Sequence, residues 1–273
     1  MKTLIVQSYR TTQVPGWIHT ALSTVKQWTT SHHFDYQFLD DEFFNWAPAW
    51  VRQQFSSHLF PLTDLARLYL LKDGLKRGYQ RVVWIDADVL IFDPENFSVD
   101  TAGGFAFCRE HMLTQLPDGE IRPERPGINN AVMVFEQNQP MLDFYLYAAE
   151  SRLKHTPPSK LQRTALGPDL LQKLSSVLPL ELLTHVGLFT PLLMQELAAG
   201  HSRVAKLYAG QSGVPVTAAN LCHFVRHHAD ERKKLQIDAI YERAIAELME
   251  SRGEVINRHL AEPRGGNNSL QET

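Results

Sequence analysis

The sequence predicts a single mixed α/β domain with a mostly parallel central sheet and a helical C-terminal part. Three observations predict it. Strand-like apolar runs alternate with helix-period runs through the first third of the chain, the order that builds a parallel sheet with helices on its faces. The run Arg81–Ile85 (RVVWI) shows no polar alternation, which implies burial on both faces. The chain has 273 residues, 44% of them hydrophobic, enough for a substantial core, and no linker clearly divides it.

The elements follow in order. LIVQSY (Leu4–Tyr9) reads as a first buried strand, followed by a polar loop with Pro15 and Gly16. Trp17 to Trp28 has helical spacing, with Ile18, Leu22, Val25 and Trp28 on one face. Tyr36–Leu39 is a second strand, closed by Asp40 and Asp41. The stretch with Phe43, Phe44, Trp46, Trp50 and Phe55 reads as irregular, either core or the wall of an acceptor cleft. Thr63 is placed to cap a helix that starts at Asp64 and ends near Gly78. Arg81–Ile85 completes strand, helix, strand, helix, strand, which is half of a Rossmann-like unit. Phe105–Glu110 and Asn130–Glu136 are further strands, flanking a polar, proline-rich loop from Leu116 to Gly127. Pro140–Lys154 is helical and Leu170–Leu174 begins a short helix. From Ala229 to Leu260 the chain reads as an amphipathic helix or pair, with Leu235, Ile237, Ile240, Ala244, Ile245 and Leu248 inward. The expected organisation is one domain over residues 1–228, a helical extension over 229–262 packed on it, and a disordered tail over 263–273.

Composition excludes several classes. A formal net charge of −3 gives no electrostatic case for nucleic acid. The two cysteines, Cys108 and Cys222, make neither a CxxC pair nor a disulfide framework. The apolar run Leu4–Val6 is too short for a signal-peptide core, and no apolar stretch is long enough to span a membrane. The expectation is a cytoplasmic protein, free or peripheral at a membrane surface.

Chemistry enters at VVWIDADVLIF, Val82 to Phe92. Asp86 and Asp88 stand one residue apart in an apolar run, where an unpaired buried carboxylate costs several kcal/mol. Residues i and i+2 of a strand share a face, so the two carboxylates are expected to converge at the carboxyl end of the third strand. Two like charges held together call for a cation, and oxygen-only ligation suits Mn²⁺ or Mg²⁺ with phosphate oxygens completing the shell. Hydrogen bonding of a capped strand end is the plainer explanation of such a pair.

The segment LARLYLLKDGLKRGYQRVVWIDADVLIF, with Asp64 and Arg67 as an Asp–x–x–Arg pair ahead of the DxD strand, resembles the glycosyltransferases of GT-A fold, in particular families 8 and 32. GINNAVMVFEQNQP resembles a later strand of those families, with Asn129, Asn130 and Ala131 in register and Val132 where a glycine is expected. TALGPDLLQKL and LCHFVRHH resemble their late segments, so that the likeness runs over residues 1–228. The resemblance implies a metal-dependent transfer of a hexose from a nucleotide sugar, with UDP expected, to a hydroxyl of a saccharide, lipid-linked or protein acceptor, with retention of configuration. It implies metal binding by Asp86, Asp88 and His223, and nucleotide contacts from Gln7 to Tyr9. Arg67 is then expected on the diphosphate, Asp64 and the amides of Asn129 and Asn130 on sugar hydroxyls, and Asp169 near the reacting carbon.

Each of these residues has a plainer reading too. Asp64 and Arg67 are spaced as a helix ion pair, Asp169 can cap a helix, and Tyr9 can be core. His223 and His227 also have the spacing of a zinc pair, without an acidic third ligand at a known distance. Two other functions fit a DxD strand: a phosphatase of the haloacid dehalogenase kind, and a non-catalytic module that binds nucleotide sugars or glycans. Phosphatases of that kind carry the motif near the N-terminus, whereas here it follows a complete strand–helix–strand–helix.

Overall fold

The computed structural model describes residues 1–227 and 229–260, so the expected tail over 263–273 lies outside the described residues. The chain opens with β1 (Thr3–Ser8), α1 (Gly16–Ser31) and β2 (Asp35–Leu39). The aromatic stretch is not irregular: Asp41–Trp46 forms 3-10 turns, capped by the Asp40 carboxylate accepting from the Glu42 amide, and α2 (Ala49–Gln54) follows. Next come α3 (Leu59–Lys76), β3 (Arg81–Ile85) and β4 (Val89–Ile91). The start of α3 lies four residues before the expected Thr63 cap, with Pro61 in its first turn, where no amide is needed. Thr63 instead turns its hydroxyl back to the Leu59 carbonyl at 2.8 Å.

The middle of the chain holds β5 (Phe105–Glu110), β6 (Leu113–Gln115), β7 (Ile121–Pro123), β8 (Gly127–Glu136), α4 (Met141–His155) and α5 (Pro168–Leu174). The proline-rich loop is therefore partly a hairpin, β6 paired with β7. The last part holds β9 (Leu182–Leu183), β10 (Val186–Leu188), α6 (Pro191–Ala198), α7 (Arg203–Ser212), β11 (Ala218–Asn220), α8 (Phe224–His227), α9 (Glu231–Glu250) and α10 (Glu254–Asn257).

The main sheet has the order β2-β1-β3-β8-β5-β9. β8 runs against its neighbours β3 and β5, and the other pairings are parallel, giving the mixed, mostly parallel sheet that the sequence predicts. Its strands alternate between two buried layers. Leu4, Val6, Val82 and Trp84 face a core shared with α3 and α4, while Ile5, Val83 and Ile85 face one shared with α1. That double burial is why β3 carries no polar residue between its ends.

A second sheet, β10-β11-β4, starts directly after the DxD turn. Its core is closed by α6, α7 and α9, with Tyr241, Ala244, Ile245 and Leu248 buried from α9. Leu235, expected inward, is instead 70% exposed. It lies in the first turns of α9, ahead of the part that packs on α1 and α6.

Candidate active site

The sheet changes winding direction between β1 and β3, because β1 is flanked by β2 on one side and β3 on the other. Ligands of open α/β sheets bind at the carboxyl ends of the strands beside such a switch. Tyr9 follows β1 and Asp86 follows β3 at that place, and a cleft of about 1,110 Å³ opens there.

Asp86 and Asp88 both line the cleft, half-buried. They do not converge by strand alternation, since β3 ends at Ile85 and residues 87–88 form a turn into the second sheet. The turn is held by the Asp86 amide on the Ala131 carbonyl (2.7 Å) and by the Val89 amide on the Asp86 carbonyl (3.1 Å). Asp86 Oδ1 accepts from the Trp84 indole at 2.6 Å and from Arg67 Nη1 at 3.1 Å. Asp88 is held by the late segment: Oδ1 accepts from Asn220 Nδ2 at 2.8 Å and Oδ2 from the His223 amide at 2.7 Å. Asn220 also accepts from the Cys222 amide, and Cys222 adopts the left-handed backbone region (φ 54°), which directs the His223 amide at Asp88.

Burial raises the carboxyl of Asp86 against the opposing pull of Arg67 and Trp84. Burial, then the charge of Asp86, pushes Asp88 up to about 7, despite the His223 amide. Arg67 resists neutralisation: burial works against its charge, but Asp86 and Asp64 hold the proton more strongly. Arg67 pairs directly with Asp86, and its charge reaches Asp88 only as a weaker, opposing influence.

Asp64 and Arg67 form the helix ion pair at 3.0 Å, and both are buried yet line the cleft. Asp64 Oδ1 also accepts from Asn130 Nδ2 at 2.9 Å, and the Asn130 carbonyl accepts from Arg67 Nη1 at 3.0 Å. Arg67 Nε is buried without a hydrogen-bond partner. Gly167 packs against the Asn130 amide so closely that a Cβ would stand 2.7 Å from Asn130 Oδ1. Asn129 uses its Oδ1 to accept from the Ala131 amide. Val132, at the expected glycine, is buried in the core on the α1 side of the sheet and does not line the cleft.

The remaining expected residues divide. Tyr9 lines the cleft, its hydroxyl hydrogen-bonded to His223 Nε2 at 2.9 Å. Asp169 lines it in the first turn of α5, accepting from the Thr164 hydroxyl at 2.9 Å. Gln7 does not reach it. Fully buried, Gln7 donates to the Asp86 carbonyl at 3.2 Å and accepts from the Tyr36 hydroxyl at 3.0 Å, so it braces the DxD turn from behind. The side chain of His227 lies outside the described residues.

Asn220, Trp84 and Glu110 are among the cleft residues that escape the sequence reading. Trp84 orients Asp86 through its indole, and the Arg67 guanidinium lies 5.2 Å from its ring centre. Glu110 ends β5, which runs in the same direction as β3, so it reaches the same edge of the sheet. Burial pushes its carboxyl up to about 7, with Asn129 opposing and Glu124 adding. The signal for Glu110 was a carboxylate at the end of an apolar strand, the same signal that marks Asp86.

Among the described residues, no three His, Cys, Asp or Glu side chains gather closely enough to hold a metal by themselves. The donor set nevertheless suits Mn²⁺ or Mg²⁺. Burial and Asp86 push the Asp88 carboxyl up to about 7, and a divalent cation between the two carboxylates would relieve that repulsion if a ligand's oxygens complete the shell.

No family model matches the chain and no curated protein matches it. Among solved structures it is similar to a glycosyltransferase involved in glycosylation of the major capsid of PBCV-1, at 10% identity and a TM-score of 0.46, covering 88% of this chain and 98% of that one. It is also similar to the galactosyltransferase LgtC in complex with donor and acceptor sugar analogs, at 15% identity and a TM-score of 0.42, covering 89% and 95%. A third is the PaToxG glycosyltransferase, at 14% identity and a TM-score of 0.38, covering 90% and 86%.

Proposed function

We propose that the protein transfers a hexose from a nucleotide sugar, UDP-linked, to an acceptor hydroxyl with the help of Mn²⁺ or Mg²⁺. The observation that carries this reading is the Asp86–Asp88 pair, two carboxylates set side by side at the switch point of the sheet beside Arg67, with Asp88 pushed up to about 7 by burial and by Asp86. In the reaction the acceptor oxygen bonds to the anomeric carbon, and the bond from that carbon to the diphosphate oxygen breaks, its electron pair leaving with the diphosphate.

Asp86 and Asp88 would hold the cation, which when bound neutralises charge on the departing diphosphate. Arg67, locked by Asp64 and Asp86 at the wall of the cleft, would bring its positive charge to the same group. Asn129, Asn130 and Asp64 present polar atoms to the sugar hydroxyls, where paired groups discriminate strongly between configurations. Tyr9 takes the nucleotide side and Asp169 the wall near the reacting carbon. His223 would have to exchange its Tyr9 contact to ligate a metal through Nε2.

In the retaining course that the resemblance implies, the acceptor proton passes to the departing diphosphate. Inversion is the second reading, and Glu110 favours it, as a cleft carboxylate whose proton affinity suits a general base. The test is incubation with a panel of UDP-hexoses, with Mn²⁺ and with chelator. Release of UDP in Mn²⁺ alone supports the transferase. Release of inorganic phosphate from a phosphomonoester such as p-nitrophenyl phosphate, offered in parallel, would point to a phosphatase and release of neither product to a binding module, and the anomer of the sugar product separates retention from inversion.

A further inference from the structure

We propose that the acceptor is an amphiphile, a sugar whose apolar aglycone or lipid chain lies on Leu59 and Phe60 at the outer end of α3. The inference rests on the glycosyl-transfer reading and names the acceptor class for that site.

The cleft changes character along one helix face. Phe60, Asp64 and Arg67 stand at i, i+4 and i+7 of α3, so they form one stripe, and all three line the cleft. At the Arg67 end the stripe meets Asp86. At the other end, about 10 Å along the axis, it finishes in Phe60, with Leu59 beside it and Phe44 on the adjoining 3-10 turns. A ligand whose hydroxyls face Asp64 and Arg67 therefore directs its next group over apolar side chains.

Those side chains are open to water. Leu59 is 50% and Phe60 36% exposed, and of the large apolar residues standing exposed in the described chain these two line the cleft. The facing wall of the cleft carries apolar side chains too, Met112, Leu192 and Phe224, but these are half-buried, and Phe43 is buried beside α3. A pyranose can lay one C–H face on Phe60, but an alkyl chain or aglycone covers Leu59 and Phe60 together and removes more apolar surface from water on both partners. The nucleotide base is assigned to Tyr9 after β1, which packs with the core of the second sheet rather than with α3. That leaves the Leu59–Phe60 end for the acceptor.

The experiment compares methyl and octyl glycosides of glucose, galactose and mannose, below the micelle concentration of the octyl compounds. Binding to the full chain in Mn²⁺ and UDP is measured by calorimetry, for wild type and for the double variant Leu59→Ser/Phe60→Ser. At least one octyl glycoside should bind about tenfold more tightly than its methyl counterpart. The double variant should lose that gain while its melting temperature is kept. Equal affinities for methyl and octyl compounds, or a gain that survives in the variant, would overturn the proposal. So would a matching loss of UDP affinity, which would make the pair a base platform. A wild type that sediments as a dimer while the variant is a monomer would assign the pair to a second copy. UDP release from UDP-hexoses in Mn²⁺, measured without acceptor, tests the transferase reading separately.

Discussion

At the residue scale, Asp88 is the group on which the account turns. Asn at this position keeps the shape and one acceptor oxygen but removes a full charge from the proposed cation site. Several kcal/mol of lost transition-state stabilisation corresponds to a fall in turnover of roughly a thousandfold for Asp88→Asn. The fold should survive, because one lost hydrogen bond to Asn220 or His223 is offset by relief of repulsion with Asp86. Its melting temperature should shift by no more than about 4 °C, as read by calorimetry. Glu110 makes a pH prediction. Its folded carboxyl is raised to about 7 by burial, so its contribution to stability is complete below the unfolded value near 4.3 and is lost as pH rises through about 7. Glu110→Gln stays neutral throughout. Wild type and variant should melt alike near pH 4.5, and the variant should melt higher at pH 8. A difference that does not change with pH would show that Glu110 does not titrate in this range.

At the element scale, the C-terminal helix reaches back to the site. Asp238 on α9 accepts from Arg226 Nε and Nη2, each at 2.8 Å, and from the Trp17 indole at 2.9 Å. The Trp17 ring lies 5.4 Å from that of His223. This contact ties α1, the segment carrying His223 and α9 together. Asp238→Asn should lower stability by about 1.5–3 kcal/mol, the range for a hydrogen bond to a charged group. It should also weaken UDP binding by about three- to tenfold, with a smaller effect on kcat, and an unchanged UDP affinity would confine Asp238 to structure. None of this was legible in the sequence, where Asp238 and Trp17 stand 221 residues apart and α9 reads only as an amphipathic helix. Legibility tracked locality. Most helices follow from apolar periodicity and β3 from an unbroken apolar run, and Asp86 stands out because a carboxylate breaks that run. Gln7 was misplaced because a polar group at the end of a strand reads the same whether it faces a ligand or braces a turn. The strands β4, β10 and β11 are only three residues long, too short to show a period, and exist through pairing with distant segments.

At the scale of the whole molecule, that pairing is what assembles the cleft. β4 leaves the DxD turn and β11 leads to His223, and their antiparallel register, Val89 opposite Asn220, brings Asn220 onto Asp88. Among the described residues no helix is long and apolar enough to cross a membrane. A ligand that bridges the two sheets should stabilise the entire fold. Mn²⁺ and UDP together, at about a hundred times the dissociation constant, should contribute about 2.7 kcal/mol and raise the melting temperature by roughly 5–10 °C. Neither UDP in chelator nor Mn²⁺ alone should approach that shift. The most direct measurement is calorimetric titration of UDP into the wild-type protein and Asp88→Asn, in Mn²⁺ and in chelator. The account predicts that chelator lowers the affinity of the wild type at least about tenfold, because the diphosphate then meets two carboxylates with no cation between them. It also predicts that Asp88→Asn in Mn²⁺ binds as weakly as wild type in chelator. UDP affinity that is the same in all four titrations would contradict it and leave Asp86 and Asp88 as structural residues of the turn.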